Sequence, residues 1–441
     1  MKRIFPDFAY GDGPRSGCWW DETSEMQDRP AVQESAFFDV VVVGGGFTGI
    51  SAAFHLARAG ASVAVLETRY VGWGASGRNG GFCCLGGSKA DDGLLDRRYG
   101  KPARLEWRQA EKCAVELVDS IITDEGLDVD RHSDGETALA HRARDMKGLR
   151  DYARSVQENY GVEPVLHEAH ELATQGMSAG FHGALTVPIG FGLNPRKYLD
   201  GLAAAAERHG AVVFHGSPVS HISSHGSRRA LDVNGCTVTA EQVIIATNGY
   251  SSEDLPDWLA GRYLPTQSNV LVTRPLSPAE LDAQGWTSRQ MSFDTRNLLH
   301  YFRLMPDNRF LFGMRGGIFS GPLAEHRARR SARRDFERMF PAWADAETEA
   351  SWSGLVCLSR SRMPFAGLVP GAPGIWAGMC YHGNGVAMGT FTGKLLADLI
   401  SGRQPDLEPK IVGDPLQIFP FGGARRLFML PLYAGLQLLD L

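Results

Sequence analysis

Four consecutive valines, Val40 to Val43, run into three consecutive glycines, Gly44 to Gly46, and a helical pattern starts at once with Phe47-Thr48-Gly49. Few features constrain a chain more. Gly44, Gly46 and Gly49 stand at the G-x-G-x-x-G spacing of a dinucleotide-binding turn. In that turn the first glycine permits the tight bend, the second lets backbone approach a pyrophosphate, and the third lets the helix pack closely on the strand. The free N–H groups at the helix N-terminus then face the anion. The next twenty residues fit the same unit. Ile50, Ala53, Leu56 and Ala57 form an apolar stripe at helical spacing, and Gly60 supplies a stop. Ser62 to Leu66 reads as a second buried strand ending in Glu67, an acid placed to bind a ribose diol and to repel a 2′-phosphate. The competing reading is a glycine-rich turn with no ligand.

Composition narrows the class. The 441 residues are 43% hydrophobic and 22% charged, an ordinary globular balance at a length that suggests two or three domains. A net charge of −5 offers no basic field for nucleic acid. The seven cysteines, Cys18, Cys83, Cys84, Cys113, Cys236, Cys357 and Cys380, contain no Cys-x-x-Cys pair. That argues against a disulfide framework and a structural metal site, and fits a reducing compartment. The first residues lack the apolar core of a signal peptide, and no uncharged apolar run is long enough to span a bilayer, so the expected location is the cytoplasm.

After Glu67 comes the loop Val71 to Phe82, in which seven residues are Gly, Ala or Ser. Ordering so bare a loop costs much entropy, which calls for a reason. Close backbone approach to a flat cofactor is one, with Ser76 and Arg78 available to phosphate oxygens; a flexible surface loop is the alternative. The adjacent Trp19 and Trp20 are expected to pin the lead segment to the body, and Cys83 and Cys84 to be buried thiols.

Further helices are predicted over about 103–123, near 140–159, from the Asn194 cap and Pro195 to His209-Gly210, over 323–340, and from Gly385 to Ile400. The arginines of the 323–340 helix read as a solvated basic face. Gln242 to Ile245, running into Thr247-Asn248-Gly249, reads as a strand returning to the first sheet. His300 to Leu304 and Phe310 to Arg315 read as a hairpin turned by Pro306-Asp307-Asn308. If Leu304 pairs with Phe310, alternation puts Phe302, Leu304, Phe310, Phe312 and Met314 on one face and Tyr301, Arg303, Leu311 and Arg315 on the other. That second face either floors a site for an anionic group or faces solvent. Tyr381-His382-Gly383-Asn384-Gly385-Val386 opens a second strand–glycine loop–helix unit, in which His382 is either a structural loop histidine or a cofactor contact. The apolar tail from Leu427 to Leu441 is too short to span a membrane; it either docks on the body or lies on a membrane surface, helped by Arg425 and Arg426.

Together these motifs resemble the FAD-dependent amine and amino-acid oxidoreductases of the D-amino-acid-oxidase-like superfamily, most of all the gamma-glutamylputrescine oxidoreductase type. The carrying residues are Gly44–Gly49, Glu67, Gly72–Gly81, Asn194-Pro195, Ala246–Tyr250, Tyr301–Arg303, Trp352-Ser353-Gly354 and Gly383–Val386. The resemblance implies an α/β fold: a glutathione-reductase-like FAD-binding Rossmann domain (37–125, 191–255 and 351–405) interleaved with a mixed β-sheet substrate domain (126–190 and 256–350). A lead segment (1–36) and a tail (406–441) complete the chain. It implies FAD as cofactor. Gly44, Gly46, Phe47, Thr48 and Gly49 then meet the pyrophosphate and Glu67 the adenosine ribose. Ser76, Arg78, Asn79 and Gly80 lie along the pyrophosphate and flavin, Val219 near the adenine and Thr247 near the nucleotide. Gly383, Asn384, Gly385 and Val386 line the pyrimidine edge.

Two departures stand out. Asn384 replaces a frequent histidine. Leu311 falls where distant relatives carry an oxygen-activating lysine, which leaves the electron acceptor open. The cysteine that links flavin in those relatives falls near Gly354, so FAD is expected to be non-covalent. The implied reaction oxidises the C–N bond of a small-molecule amine by hydride transfer to flavin N5, followed by imine hydrolysis. Tyr301, Arg303 and Arg315 are the candidates for holding a substrate carboxylate, with His382 beside the flavin. A non-catalytic flavoprotein subunit, a flavin-dependent hydroxylase and an NAD-dependent dehydrogenase are the rival readings. Against the hydroxylase, the late Gly413-Asp414 pair lies beyond the last predicted glycine-loop helix. Against the dehydrogenase, nicotinamide binding leaves the loop of residues 72–81 unexplained.

Overall fold

A computed structural model describes residues 1–427 and 429–440; Phe428 and Leu441 of the tail lie outside the described residues. Two eight-stranded sheets organise the chain.

The valine run forms the centre of the first sheet. Strand Ala36–Val43 pairs in parallel with Val63–Leu66 on one side and with Cys236–Ile245 on the other, so the predicted return of the chain at Gln242 takes place. Val212–Phe214 and Ile375–Met379 extend the parallel set, and the hairpin Val219–His225/Arg228–Val233 branches from it. Both faces of the run are covered, which is why it is apolar without alternation. Val40 and Val42 pack with helices Phe47–Arg58, Pro195–Arg208 and Gly385–Ile400, while Val41 and Val43 pack with Val219, Leu231 and Val233. Asn194 caps its helix as predicted, accepting from the N–H groups of Arg196 and Lys197 (3.1 and 3.2 Å).

The second sheet runs in the order Thr348–Ser359, Tyr263–Thr273, Phe310–Arg315, His300–Leu304, Met291–Asp294, Glu136–Leu139, Gly183–Val187, Val165–Glu168. Leu304 pairs with Phe310, the condition on which the two predicted faces rest. Phe302, Leu304, Phe310 and Phe312 pack beneath helix Pro322–Met339, against Phe336, Phe340 and Trp343. Strand Thr348–Ser359 lies along the whole of Tyr263–Thr273 in this second sheet, although residues from 351 onward read from sequence as part of the nucleotide-binding region. Local apolar patterning does not say which sheet a buried strand joins.

The lead segment is pinned at Trp20, which is 2% exposed, stands edge-on to Trp352 and donates to the Asn79 carbonyl (2.8 Å). All seven cysteines are free thiols. The tail helix Met429–Leu439 docks on the body. The Asp440 carboxylate accepts from the Asn297 and Leu298 N–H groups (2.7 and 2.9 Å), and Leu430, Leu432, Leu438 and Leu439 stay exposed. Among the described residues no helix is long and apolar enough to cross a membrane.

Candidate active site

A cavity of about 950 Å³ lies between the two sheets, at the upper end of the range for small-molecule sites. Its first wall is mostly backbone. Gly44, with φ +110°, brings the strand end within reach of the returning chain: a Cβ there would stand 2.9 Å from the Ala246 carbonyl oxygen. A Cβ on Gly49 would stand 2.0 Å from the Gly44 carbonyl oxygen, so only glycine lets the helix begin there. Gly46, Phe47 and Thr48 line the cavity at that helix start. The Phe47 N–H donates to Ser76 Oγ (3.0 Å), which ties the bare loop to the helix N-terminus. Glu67 ends the second strand at the cavity and accepts from the N–H groups of Gly45 and Arg69 (2.7 and 2.9 Å). Burial raises the pKa of its carboxyl, and those backbone donors oppose the rise.

The loop of residues 71–82 is largely buried and is no mobile surface segment. Asn79 closes it, donating to the Ala75 and Ser76 carbonyls and accepting from the Gly81 N–H. Arg78 is 2% exposed; its Nε–H donates to the Trp73 carbonyl (2.8 Å) and one Nη to Ser353 (3.3 Å), and the guanidinium lies over the Trp73 ring. Among the described residues its other Nη has no hydrogen-bond partner. Gly80 and Thr247 also line this wall. At the far side, Gly383, Asn384, Gly385 and Val386 bring the start of helix Gly385–Ile400 to the cavity, with no side chain capping its first N–H groups. The two helices that open on the cavity cross closely: a Cβ on Gly393 would stand 2.5 Å from the Thr48 carbonyl oxygen.

The second wall is made of side chains. Directly opposed residues in a sheet share a face. Gly354 and Arg315 both pair with Ser268, Gly313 and Phe293 both pair with Tyr301, and Phe293 also pairs with Ala138. By alternation Ser268, Arg315, Tyr301, Phe293 and Glu136 therefore stand on one face, and all five line the cavity. The Tyr301 hydroxyl and Ser268 Oγ are hydrogen-bonded (2.9 Å), and the Tyr301 ring lies so close over Gly313 that a Cβ there would overlap it at 2.1 Å. Arg315 approaches the second glycine loop, donating to Asn384 Oδ1 (3.4 Å). Gly383 permits that approach, since a Cβ there would stand 2.5 Å from the guanidinium.

Comparison with known proteins places this architecture. The family described as DAO, FAD dependent oxidoreductase, matches residues 39–399. The chain belongs to this family. Gamma-glutamylputrescine oxidoreductase of Escherichia coli (strain K12) is 31% identical over 397 residues, 90% of each chain. Glycine oxidase of Pseudomonas aeruginosa is 24% identical over 84% of this chain and 96% of the relative. Among solved structures, glycine oxidase from Geobacillus kaustophilus superposes with a TM-score of 0.71 at 22% identity, covering 86% of this chain and 98% of that one; it shares the fold. As a DAO-family protein the chain is an FAD-dependent oxidoreductase, and it groups with amine and amino-acid oxidoreductases.

The residues present fit FAD. Gly44 and Gly49 let strand, helix and returning chain pack closely, Gly44, Gly45 and Gly46 leave bare backbone at the cavity, two helix N-termini open on it, and the orphaned Arg78 Nη is a buried donor at its edge.

Four candidates lie outside the cavity lining. Gly49 is the third residue of helix Phe47–Arg58, where it packs against the Gly44 carbonyl. Val219 packs in the core with Val43 and Leu66, behind the nucleotide wall. His382 turns into the protein: it is 3% exposed, its Nε2 meets Ser359 Oγ (3.1 Å), and burial lowers its pKa to about 3. Arg303 shares a face with Tyr301, yet the ribbon Phe82–Cys83/Phe191–Gly192 covers it. It donates to the Leu193 carbonyl (2.7 Å) and pairs with His132 Nε2 (3.0 Å) in a separate cavity of about 130 Å³. Burial lowers its pKa to about 9.

Sequence reasoning missed Lys89 and Glu136, which also line the main cavity, and Arg3 and Tyr10 of the lead segment. Nothing local marked them. Glu136 begins a four-residue strand, and Lys89 comes after the glycine loop as an ordinary polar residue.

Proposed function

We propose that this FAD-dependent oxidoreductase oxidises the C–N bond of a primary or secondary amine that also carries a carboxylate, a γ-glutamylputrescine-like compound being the leading candidate. The observation that carries the reading is the second wall. Arg315 and Tyr301 present a cation and a hydroxyl to a cavity continuous with the glycine cradle, and no acidic side chain pairs with Arg315 among the described residues. The kinship with the E. coli gamma-glutamylputrescine oxidoreductase supports the same substrate class.

In this reading Gly44, Gly46, Phe47 and Thr48 hold the pyrophosphate of non-covalent FAD, and Glu67 takes the ribose diol with lone pairs left free by its two backbone donors. Ser76, Arg78, Asn79 and Gly80 follow the pyrophosphate towards the flavin, and Thr247 stands by the nucleotide. Gly383 to Val386 meet the pyrimidine edge. Held by these residues, FAD would supply the hydride acceptor for oxidation of the carbon next to the substrate nitrogen. The chain supplies position and field. The uncapped N-terminus of helix Gly385–Ile400 favours negative charge at its end of the cavity. Arg315 fixes the carboxylate, oriented by Asn384 Oδ1. The Tyr301 hydroxyl, anchored on Ser268, donates to the same carboxylate, and its pKa, raised by burial, keeps its proton in place.

Anaerobic titration of the purified flavoprotein with an amine panel tests this. γ-Glutamylputrescine is expected to bleach the flavin. A flavin that stays oxidised with every amine would leave the protein a non-catalytic flavoprotein.

A further inference from the structure

The family match begins at residue 39, yet the chain before it lies on the nucleotide wall. The lead segment crosses the outside of the loop of residues 71–82 and holds it by its main chain. Arg15, 4% exposed, donates to the Gly72 and Trp73 carbonyls (3.2 and 2.9 Å), and Trp20 donates to the Asn79 carbonyl (2.8 Å). The Trp73 indole N–H in turn donates to Asp12 Oδ1 (3.2 Å). Further forward, the Lys2 N–H donates to Ser252 Oγ and Asp254 Oδ1 (2.6 and 2.9 Å), and the Lys2 carbonyl accepts from the Glu253 N–H (2.8 Å). Phe5, Ala9 and Tyr10 pack with Leu355 and Tyr250 between these two anchors.

Two side chains of the segment, Arg3 and Tyr10, reach the cavity itself. Tyr10 stands edge-on to Tyr250, and Tyr250 edge-on to Trp73, with ring centroids 6.3 and 5.6 Å apart; all three rings line the cavity. Tyr250 thus sits where the loop after the returning strand, with Thr247, meets the loop that carries Ser76. Its ring would touch a Cβ on Gly74 at 3.4 Å. The Arg3 guanidinium lies over the Tyr10 ring, 4.4 Å from its centroid, and its hydrogen bond among the described residues goes to the Met1 sulfur (3.6 Å). A thioether is a weak acceptor and neutralises no charge. Asp254, on the anchoring loop, is occupied by the Lys2 N–H and the Ser252 hydroxyl. No carboxylate pairs with Arg3 among the described residues. The wall therefore presents an unmatched, half-buried guanidinium beside two loops that the FAD reading sets along the pyrophosphate. That pyrophosphate is the anionic group of FAD, and a guanidinium matches phosphate oxygens in charge and shape.

We propose that the lead segment is the outer wall of the nucleotide site and that Arg3 is its counter-ion for the FAD pyrophosphate, carried there by Tyr10 on Tyr250. The assignment rests on the FAD placement proposed above and is independent of which amine is oxidised. Arg3 acts in cofactor retention and takes no part in hydride transfer.

Titration of the apoprotein with FAD, followed by flavin fluorescence without substrate, tests it. Arg3→Gln is expected to raise the FAD Kd about tenfold at low salt, the loss of one charge-assisted pairing. Arg3→Lys, which keeps the charge, should stay within about threefold of wild type. The gap between wild type and Arg3→Gln should close in about 1 M salt, where charges are screened beyond roughly 3 Å. ADP should lose affinity for Arg3→Gln as FAD does, and adenosine, which has no phosphate, should bind both proteins alike. An FAD Kd within about twofold of wild type in Arg3→Gln, even with a lowered melting temperature, would make Arg3 a packing residue and overturn the assignment. An Arg3→Lys loss as large as that of Arg3→Gln, or an adenosine loss equal to that of ADP, overturns it too. Each of these results leaves the FAD placement standing. A wild type that takes up no FAD overturns the placement and this assignment with it.

Discussion

The two walls of the cavity are built by opposite means. The nucleotide wall is a local product: a strand, three glycines and a helix within residues 36–58, repeated in form by Ile375–Met379, Gly383 and Gly385–Ile400. It presents mostly backbone to the cavity, and what matters is the absence of Cβ atoms. The second wall is assembled from strands that begin as early as Glu136 and end as late as Ser359, and it presents side chains on one face of a sheet. A wall of backbone tolerates almost no added volume but is indifferent to side-chain chemistry. A wall of side chains tolerates substitution without losing the fold, and its chemistry is what changes. Cofactor use and substrate choice can therefore vary independently on this scaffold.

The largest effect should come from the backbone wall. Gly49→Ala forces a Cβ to within 2.0 Å of the Gly44 carbonyl oxygen, and both are main chain, so neither can swing aside. It is expected to destabilise the protein by about 3 kcal/mol and abolish FAD retention, read as loss of visible flavin absorbance and a lowered melting temperature. Retention of full flavin content would break the claim that this wall admits no volume.

On the side-chain wall, Arg315→Met should leave flavin content unchanged and raise KM for γ-glutamylputrescine by roughly 100-fold, the cost of removing a charge partner from an enclosed carboxylate. Flavin loss instead would show that the walls are not separable at this residue.

A smaller effect should depend on pH. The Arg315 charge, with burial added, lowers the Lys89 ammonium to about 7, and burial raises the Glu136 carboxyl to about 7. Below that range Lys89 is charged and Glu136 neutral; above it Lys89 is neutral and Glu136 charged. The cavity thus loses up to two units of positive charge as pH rises through about 7. A ligand that carries a carboxylate and, besides the reacting amine, no ammonium should bind more tightly at low pH. KM for N-glutarylputrescine, corrected for ionisation of its own amine, is expected to rise on the order of tenfold across this window. The rise should flatten in Lys89→Met. An opposite slope would reject the charge assignment.

The smallest effect on catalysis should come from Arg303. Arg303→Ala leaves the Leu193 carbonyl and His132 without their donor and should cost about 2 kcal/mol of stability, while KM for carboxylated amines stays within about twofold of wild type. A KM increase like that of Arg315→Met would mean that Arg303 reaches the substrate after all.

Arg303 and Arg315 show where sequence reasoning stops. Period-two alternation put both on one face with Tyr301, and the observed register agrees. Alternation says which face a side chain takes, but not what covers each end of the strand. That depended on the ribbon of Phe82–Cys83 with Phe191–Gly192, which closes over Arg303 and leaves Arg315 open. The same limit hid Glu136, whose strand joins the row through pairing with Met291–Asp294, more than 150 residues further along the chain. It also left His382 open between two readings. The loop around it was legible, but that its imidazole meets Ser359 follows from the strand packed beside it.

From its residues alone, the chain determined the parts whose physics is short-ranged: the glycine turn, the acid at the second strand, the capped helix at Asn194 and the alternation of the 300–315 hairpin. Each depends on steric freedom, capping or alternation within a few residues, and those forces act wherever the segment finds itself. Tertiary structure decided which charged side chains share a cavity and which are sealed from it, because that depends on sheet register and on what packs above each strand. Neither is encoded by any one segment.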